Sequence, residues 1–263
     1  RLVGSEMCIR DRTATAYCRK NMPRFFVDDI PAGRYILSGE AGRHGAKVLR
    51  LRPGEAVTLC DGRGTDFPCT VRENMGDSLL LDVGAGTPSR GEPRTKVTVC
   101  QCLPKGDKLE TVVQKAVELG AYEIWPVESR YCVAKWDQKS REKKLSRLQR
   151  IALEAAMQSG RGVVPKVLEP AGLRRALETA QSAGDILFFY ERAARGLRSC
   201  LRGIGDRLFL FVGPEGGFSE EEAALAGELG ARIASLGPRI LRTETAPIAA
   251  LSAVFYEKGD MEP

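Results

Sequence analysis

Apolar positions along the chain follow two different rhythms. From Phe25 to about Val83 they come in short runs: Phe25-Phe26-Val27, Tyr35-Ile36-Leu37, Ala56-Val57-Thr58-Leu59, Phe67-Pro68-Cys69-Thr70-Val71 and Leu79-Leu80-Leu81-Asp82-Val83. Gly, Asp or Pro separates the runs, and strands at such spacing predict a small barrel or sandwich. Asp61-Gly62-Arg63-Gly64 fits a hairpin turn. One or two helical turns fit Ala41 to Leu51, where His44, Val48 and Leu51 share a face. From Thr95 the rhythm becomes strand, helix, strand. Val97 to Leu103 reads as a strand. Leu109, Val112, Val113, Ala116 and Val117 then recur at helical spacing, and Gly120 closes that helix. Further strands are expected at Ile124–Val127, Asp185–Tyr190, Leu208–Val212 and Arg232–Leu236. Pro126 cannot donate to a ladder, which moves its strand toward a sheet edge or ends it there. Ser219-x-x-Glu222 is a capping box, and Pro247 suits the first turn of the last helix. Alternating strands and helices imply an α/β fold with a parallel sheet covered on both faces.

The two rhythms divide the chain. Residues 22–88 form a strand-rich domain, 89–94 a Gly- and Pro-rich linker, and 95–263 an α/β domain. Residues 1–21 have neither period nor an apolar core and are expected to be extraneous or disordered. The 263 residues suit two domains, and a hydrophobic content of 43% is ample for their cores. Eight cysteines without paired spacing suggest a reducing, cytoplasmic setting. With a single histidine, His44, a metal centre or a Ser-His-Asp triad is not expected.

The net charge of +6 is not spread evenly. Residues 22–93 carry nine Lys/Arg against ten Asp/Glu, whereas 130–150 carry eight against two. In the first domain only a local patch, Arg43, Lys47, Arg50 and Arg52, would meet a polyanion. In the second, Lys139, Lys143, Arg147 and Arg150 form one helical stripe. Such clusters are commonly solvated faces; like charge on one side tilts the stripe toward phosphate contact. Gln158-Ser159-Gly160-Arg161 ends that helix, and Arg161 there is either structural or a reader of phosphate or base.

The densest chemistry lies between Leu208 and Leu251. Two strands each empty into an irregular loop: Gly213-Pro214-Glu215-Gly216-Gly217, and Leu236-Gly237-Pro238-Arg239-Ile240-Leu241-Arg242-Thr243-Glu244-Thr245. Glycine admits close backbone approach by a ligand, and ligands in open α/β sheets lie beyond the carboxyl ends of strands. Two such loops form two walls of one pocket. The first loop lacks the Gly-Lys-Ser/Thr ending of a nucleotide phosphate cradle.

These two loops resemble the paired signatures of the RsmE family, bacterial 16S rRNA uridine-N3 methyltransferases of the SPOUT superfamily. Met22-Pro23-Arg24-Phe25-Phe26, His44 to Arg50, Lys108 to Gly120 and Gln158-Ser159-Gly160-Arg161 are similar to further family elements. The resemblance implies a PUA-like RNA-binding β-barrel followed by a SPOUT domain with a deep trefoil knot. It implies S-adenosylmethionine as cofactor, 16S rRNA of the small subunit as substrate, and a homodimer. By that resemblance the cofactor would be held by Val212, Gly213, Pro214, Glu215, Gly216, Gly217, Leu236, Gly237, Ile240 and Leu241. RNA would be met by Arg43, Lys47, Arg50, Lys139, Lys143, Arg147 and Arg161, and catalysis would fall to Arg242, Thr243 and Glu244. Arg242 would offset charge on the uracil oxygens and Thr243 would bond base or cofactor. Glu244 would orient the arginine, since a carboxylate beside cations is a poor proton acceptor; Glu215 is the weaker candidate for a base. Two other readings stay open at this point: a SPOUT enzyme acting on another base or a ribose 2′-OH, and a non-catalytic rRNA-binding assembly factor.

Overall fold

The computed structural model describes residues 22–262, so the expectation for residues 1–21 lies outside the described residues. The first half builds on five strands: β1 (Arg24–Phe26), β2 (Gly33–Leu37), β3 (Ala56–Cys60), β4 (Thr65–Asn74) and β5 (Leu79–Val83). They run in the order β1-β3-β4-β5-β2, with β6 (Thr87–Pro88) added to β4. All pairings are antiparallel except β1 with β3. Phe25, Leu37, Val57, Leu59, Leu79 and Leu81 fill its core. The hairpin at Asp61 forms as expected, its carboxylate accepting from the N–H groups of Arg63 and Thr65. That carboxyl is held below the ordinary range: burial pulls it up, and these bonds outweigh the burial. The segment expected to hold a helical turn splits into a short α1 (Gly39–Arg43) and a π-helical turn at His44–Val48. Arg50 follows with φ of 52°, a left-handed backbone rare outside glycine.

The second half is one parallel sheet. Its strands are β7 (Lys96–Cys102), β8 (Glu123–Glu128), β9 (Lys166–Val167), β10 (Ala171–Gly172), β11 (Asp185–Phe189), β12 (Arg207–Val212) and β13 (Arg232–Ala234). The order is β10-β8-β7-β12-β11-β13, with β9 also on β8. Every pairing in it is parallel. The helices are α2 (Lys108–Leu119), α3 (Gln138–Ser159), α4 (Leu173–Ala183), α5 (Leu197–Leu201), α6 (Glu220–Glu228) and α7 (Thr245–Lys258). Successive residues of β7 and β12 are buried alike, so helices cover both faces. No helix of the described residues is long and apolar enough to cross a membrane.

Two expectations need correction. Strand β8 is not an edge: it pairs with β7 on one side and with β9 and β10 on the other. The Val127 carbonyl accepts from Leu103 and the Ile124 carbonyl from Leu168, so alternate residues face the two neighbours. Pro126 therefore faces the side where the neighbouring strand is broken, between the β9 pairing at Glu123–Ile124 and the β10 pairing at Val127–Glu128. A missing N–H costs nothing at that gap.

Arg161 is the second correction. It is 3% exposed rather than presented to RNA. Its guanidinium donates to both carboxylate oxygens of Glu92, at 3.2 and 2.6 Å, and to the carbonyls of Val117 and Ala121. Four of five donors are consumed. The Arg161 carbonyl accepts from Arg24, which also pairs with Asp66 at 2.6 Å. Glu92 further accepts from the N–H groups of Gly162 and Val163. The linker, the end of α3 and the small sheet thus meet in one polar knot of contacts. Arg161→Ala leaves the Glu92 carboxylate without its counter-ion and the Ala121 carbonyl without its donor, and is expected to lower the unfolding free energy by about 3 kcal/mol; urea denaturation measures it, with a loss below about 1 kcal/mol counting against this role.

Candidate cofactor and RNA site

Strand β12 delivers Gly213 at the carboxyl edge of the sheet. The following turn closes on itself through Gly217 N–H donating to the Pro214 carbonyl. A Cβ at Gly213 would stand 3.1 Å from the Gly217 carbonyl carbon, and one at Gly216 would stand 3.0 Å from the Cβ of Tyr131. Gly217 has φ of +67° and would aim a Cβ at the Glu191 carboxylate, 3.1 Å away. A side chain at Gly213 or Gly216 would press its neighbours aside by a few tenths of an ångström, and Gly217 suits glycine by its left-handed backbone. Phe218 then anchors the turn against Phe188, ring centroids 4.1 Å apart. Ser219 and Glu222 form the expected capping box that starts α6.

Strand β13 delivers the second loop. Ser235 Oγ accepts from the Gly237 N–H at 3.1 Å, which turns the chain. Ile240 stands 92% exposed. The loop ends by tying itself to the first: Thr243 Oγ1 donates to the Gly213 carbonyl at 2.7 Å and accepts from Gln101 Nε2 at 3.0 Å. Between the loops lies a cavity of about 600 Å³, within the range of small-molecule sites.

The cavity brings together Val212 to Gly217, Leu236, Gly237, Ile240, Leu241, Arg242 and Thr243. Glu244 lies outside this lining. Arg242 is 84% exposed at the side chain, with Nη1 4.0 Å from Glu244 Oε1. Glu244 Oε2 is buried without a partner. Thr243 is 5% exposed and spends its only proton on Gly213, so a bond from it to a base or cofactor would be one in which the hydroxyl accepts. Glu215 is no free base either. Burial pulls its carboxyl up, but bonds from Lys108 at 2.6 Å and from the Lys105 N–H leave it below the ordinary range.

Beyond the two loops, six wall residues were missed by the sequence reading: Lys108, Phe189, Tyr190, Glu191, Ser235 and Ala246. Phe189 ends strand β11 and Tyr190 and Glu191 follow it, and the strand-end rule that found the two loops applies to it as well. Gln101 was passed over as one polar residue in an apolar run.

The family models agree with this geometry. Residues 91–255 match an RNA methyltransferase domain, and residues 37–83 match an RNA methyltransferase PUA domain. Ribosomal RNA small subunit methyltransferase E of Bacillus subtilis is 35% identical over 90% of this chain and 97% of its own length. The chain belongs to that methyltransferase family. Ribosomal RNA small subunit methyltransferase E of Neisseria gonorrhoeae, in a crystal structure bound to S-adenosyl methionine, is 34% identical with a TM-score of 0.82, covering 90% of this chain and 98% of that one. A methyltransferase of Legionella pneumophila in complex with the same cofactor is 31% identical with a TM-score of 0.81, at 90% and 98% coverage. The PUA-domain match thus falls within the small sheet, and the methyltransferase-domain match spans the parallel sheet.

The expected RNA-contact residues of this family member fall in different environments. Arg43 and Arg50 are exposed, while Lys47 is ion-paired with Asp77. Lys139 and Lys143 are exposed on α3, but Arg147 pairs with Glu110 at 2.8 Å and Arg150 with Glu154 at 3.6 Å. The stripe is therefore only half unpaired. Gly217→Ala forces a left-handed Cβ toward Glu191 and is expected to lower stability by about 1–2 kcal/mol, read from the midpoint of thermal or urea unfolding; an unchanged midpoint would mean the turn relaxes freely.

Proposed function

We propose that the protein transfers a methyl group from S-adenosylmethionine to N3 of a uridine in 16S rRNA of the small ribosomal subunit. The observation that carries this reading is the cavity between the two glycine loops with Arg242 free at its rim. Its residues suit the cofactor. Glycine lets the first loop close tightly beside the space, and Glu191 places an acceptor carboxylate in the wall, suited to hydroxyl or ammonium donors. When bound, S-adenosylmethionine supplies an electrophilic methyl on a sulfonium centre.

The chain's own residues have the rest of the work. Uridine N3 carries a proton, and the attacking form is anionic. Arg242 offsets that charge at the uracil oxygens from a position where it is not consumed by another ion pair. Glu244, next to it, orients the guanidinium. Thr243 keeps the two loops together, and the backbone around Gly213–Gly217 and Leu236–Leu241 holds the cofactor in line with the base. The target base leaves its stack to enter.

The same reading covers the finer architecture. Residues 22–88 act as a PUA-like barrel, 89–94 as linker and 95–263 as the SPOUT domain. The Leu236–Thr245 segment passes into a deep trefoil knot, a threading supported by Thr243 being seated on Gly213 beside the central strand. The enzyme works in the cytoplasm as a homodimer; the exposed Ile240 and the partnerless Glu244 oxygen support a second copy completing the rim. Arg43, Lys47, Arg50, Lys139, Lys143 and Arg147 contact rRNA.

The test is methylation of small subunits from a strain lacking this activity, with labelled cofactor and nucleoside mass spectrometry. N3-methyluridine is expected; a 2′-O-methylated nucleoside or no transfer would overturn the reading. Arg242→Ala is expected to reduce kcat by about 10²–10³-fold with the fold intact, and near wild-type turnover would remove it from the mechanism. Charge reversal at Lys139 and Lys143 is expected to weaken RNA binding and to flatten the plot of log affinity against log salt by about one to two units of slope; an unchanged slope makes them a solvated face.

A further inference from the structure

Gln101 sits near the end of central strand β7, fully buried, opposite Val212 on one side and Pro126 on the other. Its neighbours Val99, Cys100 and Cys102 are fully buried too. A straight apolar side chain would satisfy such a place. Instead the carboxamide leaves Oε1 buried without a partner, an arrangement proteins rarely keep without a use for it. Its Nε2 donates to the Cys102 carbonyl at 2.9 Å and to Thr243 Oγ1 at 3.0 Å, and makes a longer contact of 3.4 Å to the Gly213 carbonyl. The amide orientation follows from these partners, because the reverse would set oxygen against two carbonyls. Thr243 passes its proton on to Gly213. Among the described hydrogen bonds, the Thr243–Gly213 bond and the Gln101 bonds to both are what join the two loops. The Gly213 carbonyl is also the only hydrogen-bonding group of its peptide unit, since Pro214 has no N–H.

We propose that Gln101 is a positioning residue for methyl-donor binding. Its carboxamide fixes the Thr243 hydroxyl and, through it, the Gly213 peptide, so that the two cavity walls stand at the separation the donor requires. It touches neither RNA nor the reacting atoms. The proposal rests on the functional reading above and adds the residue that pre-sets the cavity.

The experiment measures S-adenosylmethionine affinity by calorimetry, and steady-state KM for cofactor and for small subunits separately, on full-length protein. Gln101→Met keeps length and apolar volume but removes the donors. It is expected to weaken cofactor binding about tenfold, the scale of one lost hydrogen bond, while KM for small subunits stays within about twofold. Thr243→Val should match it, Thr243→Ser should retain wild-type affinity, and the double variant Gln101→Met with Thr243→Val should be no worse than the weaker single, as for two parts of one device. Cofactor affinity within about twofold of wild type in Gln101→Met, or strictly additive losses in the double variant, overturns the proposal. If Gln101→Met does not fold, Thr243→Val decides, since it leaves β7 untouched: unchanged affinity there overturns it equally. Wild-type protein that binds no cofactor would instead remove the functional reading and this proposal with it.

Discussion

Burial of both faces of β7 and β12 is the constraint from which the rest follows. These strands lie at the middle of an all-parallel sheet, and their side chains above and below are equally cut off from water. A strand so placed is mostly apolar, as Leu208 to Val212 are; Thr98 and Gln101 of β7 are the buried polar exceptions. Most polar chemistry is thereby kept out of the two central strands and gathers where the strands stop. Since all strands point the same way, they all stop on one side, and the turns after β11, β12 and β13 are brought together there without any special device. The cavity is the space these three turns fail to fill. Its walls are glycine because the turns approach one another and neighbouring side chains within Cβ distance.

A second polar concentration sits where the two sheets meet, and it has a different logic. Arg24 pairs with Asp66 and Arg161 with Glu92 of the linker, and these side chains also bond backbone groups just after α3 and at the end of α2 and the turn after it. Ion pairs this far from water gain little over apolar packing in stability alone. Their geometric demands are strict, however, and two-pronged bonds such as Arg161 to Glu92 accept only one relative placement. Apolar contact, by contrast, tolerates sliding. The junction therefore fixes how the small sheet stands against the parallel sheet and its cavity.

What could be read from the sequence was whatever is decided within a turn or two of the chain. The α2 periodicity, the Ser219–Glu222 capping box and the Asp61 hairpin all depend on residues at most a few positions apart, and all form as their spacing demands. The two glycine loops were legible for a similar reason, since each strand end carries its own signal. Failures occurred where the deciding partner is distant. Pro126 is harmless because the neighbouring strand is interrupted opposite it, which depends on residues 166–172. Arg161 is spent on Glu92, 69 positions earlier, and Thr243 on Gly213 and Gln101, 30 and 142 positions away. A hydroxyl or a guanidinium in a promising loop has the same local appearance whether its donors are free or consumed.

This distinction separates three adjacent residues that the family resemblance assigned together to catalysis. Thr243, Arg242 and Glu244 differ in exposure because the loop turns sharply into α7: Thr243 points inward to the central strand, Arg242 outward, and Glu244 sits between at the helix start. An inward hydroxyl with its proton committed holds geometry and has only acceptor capacity left. An outward guanidinium, loosely set 4.0 Å from a carboxylate, can move toward new charge at small cost, because it breaks no good hydrogen bond to do so. Glu244 keeps one oxygen toward that arginine and one buried oxygen without a donor. A carboxylate so placed gains from any donor that reaches its second oxygen. The loop thus divides into a residue whose hydroxyl is committed between the walls and an exposed guanidinium beside a carboxylate with one oxygen unspent.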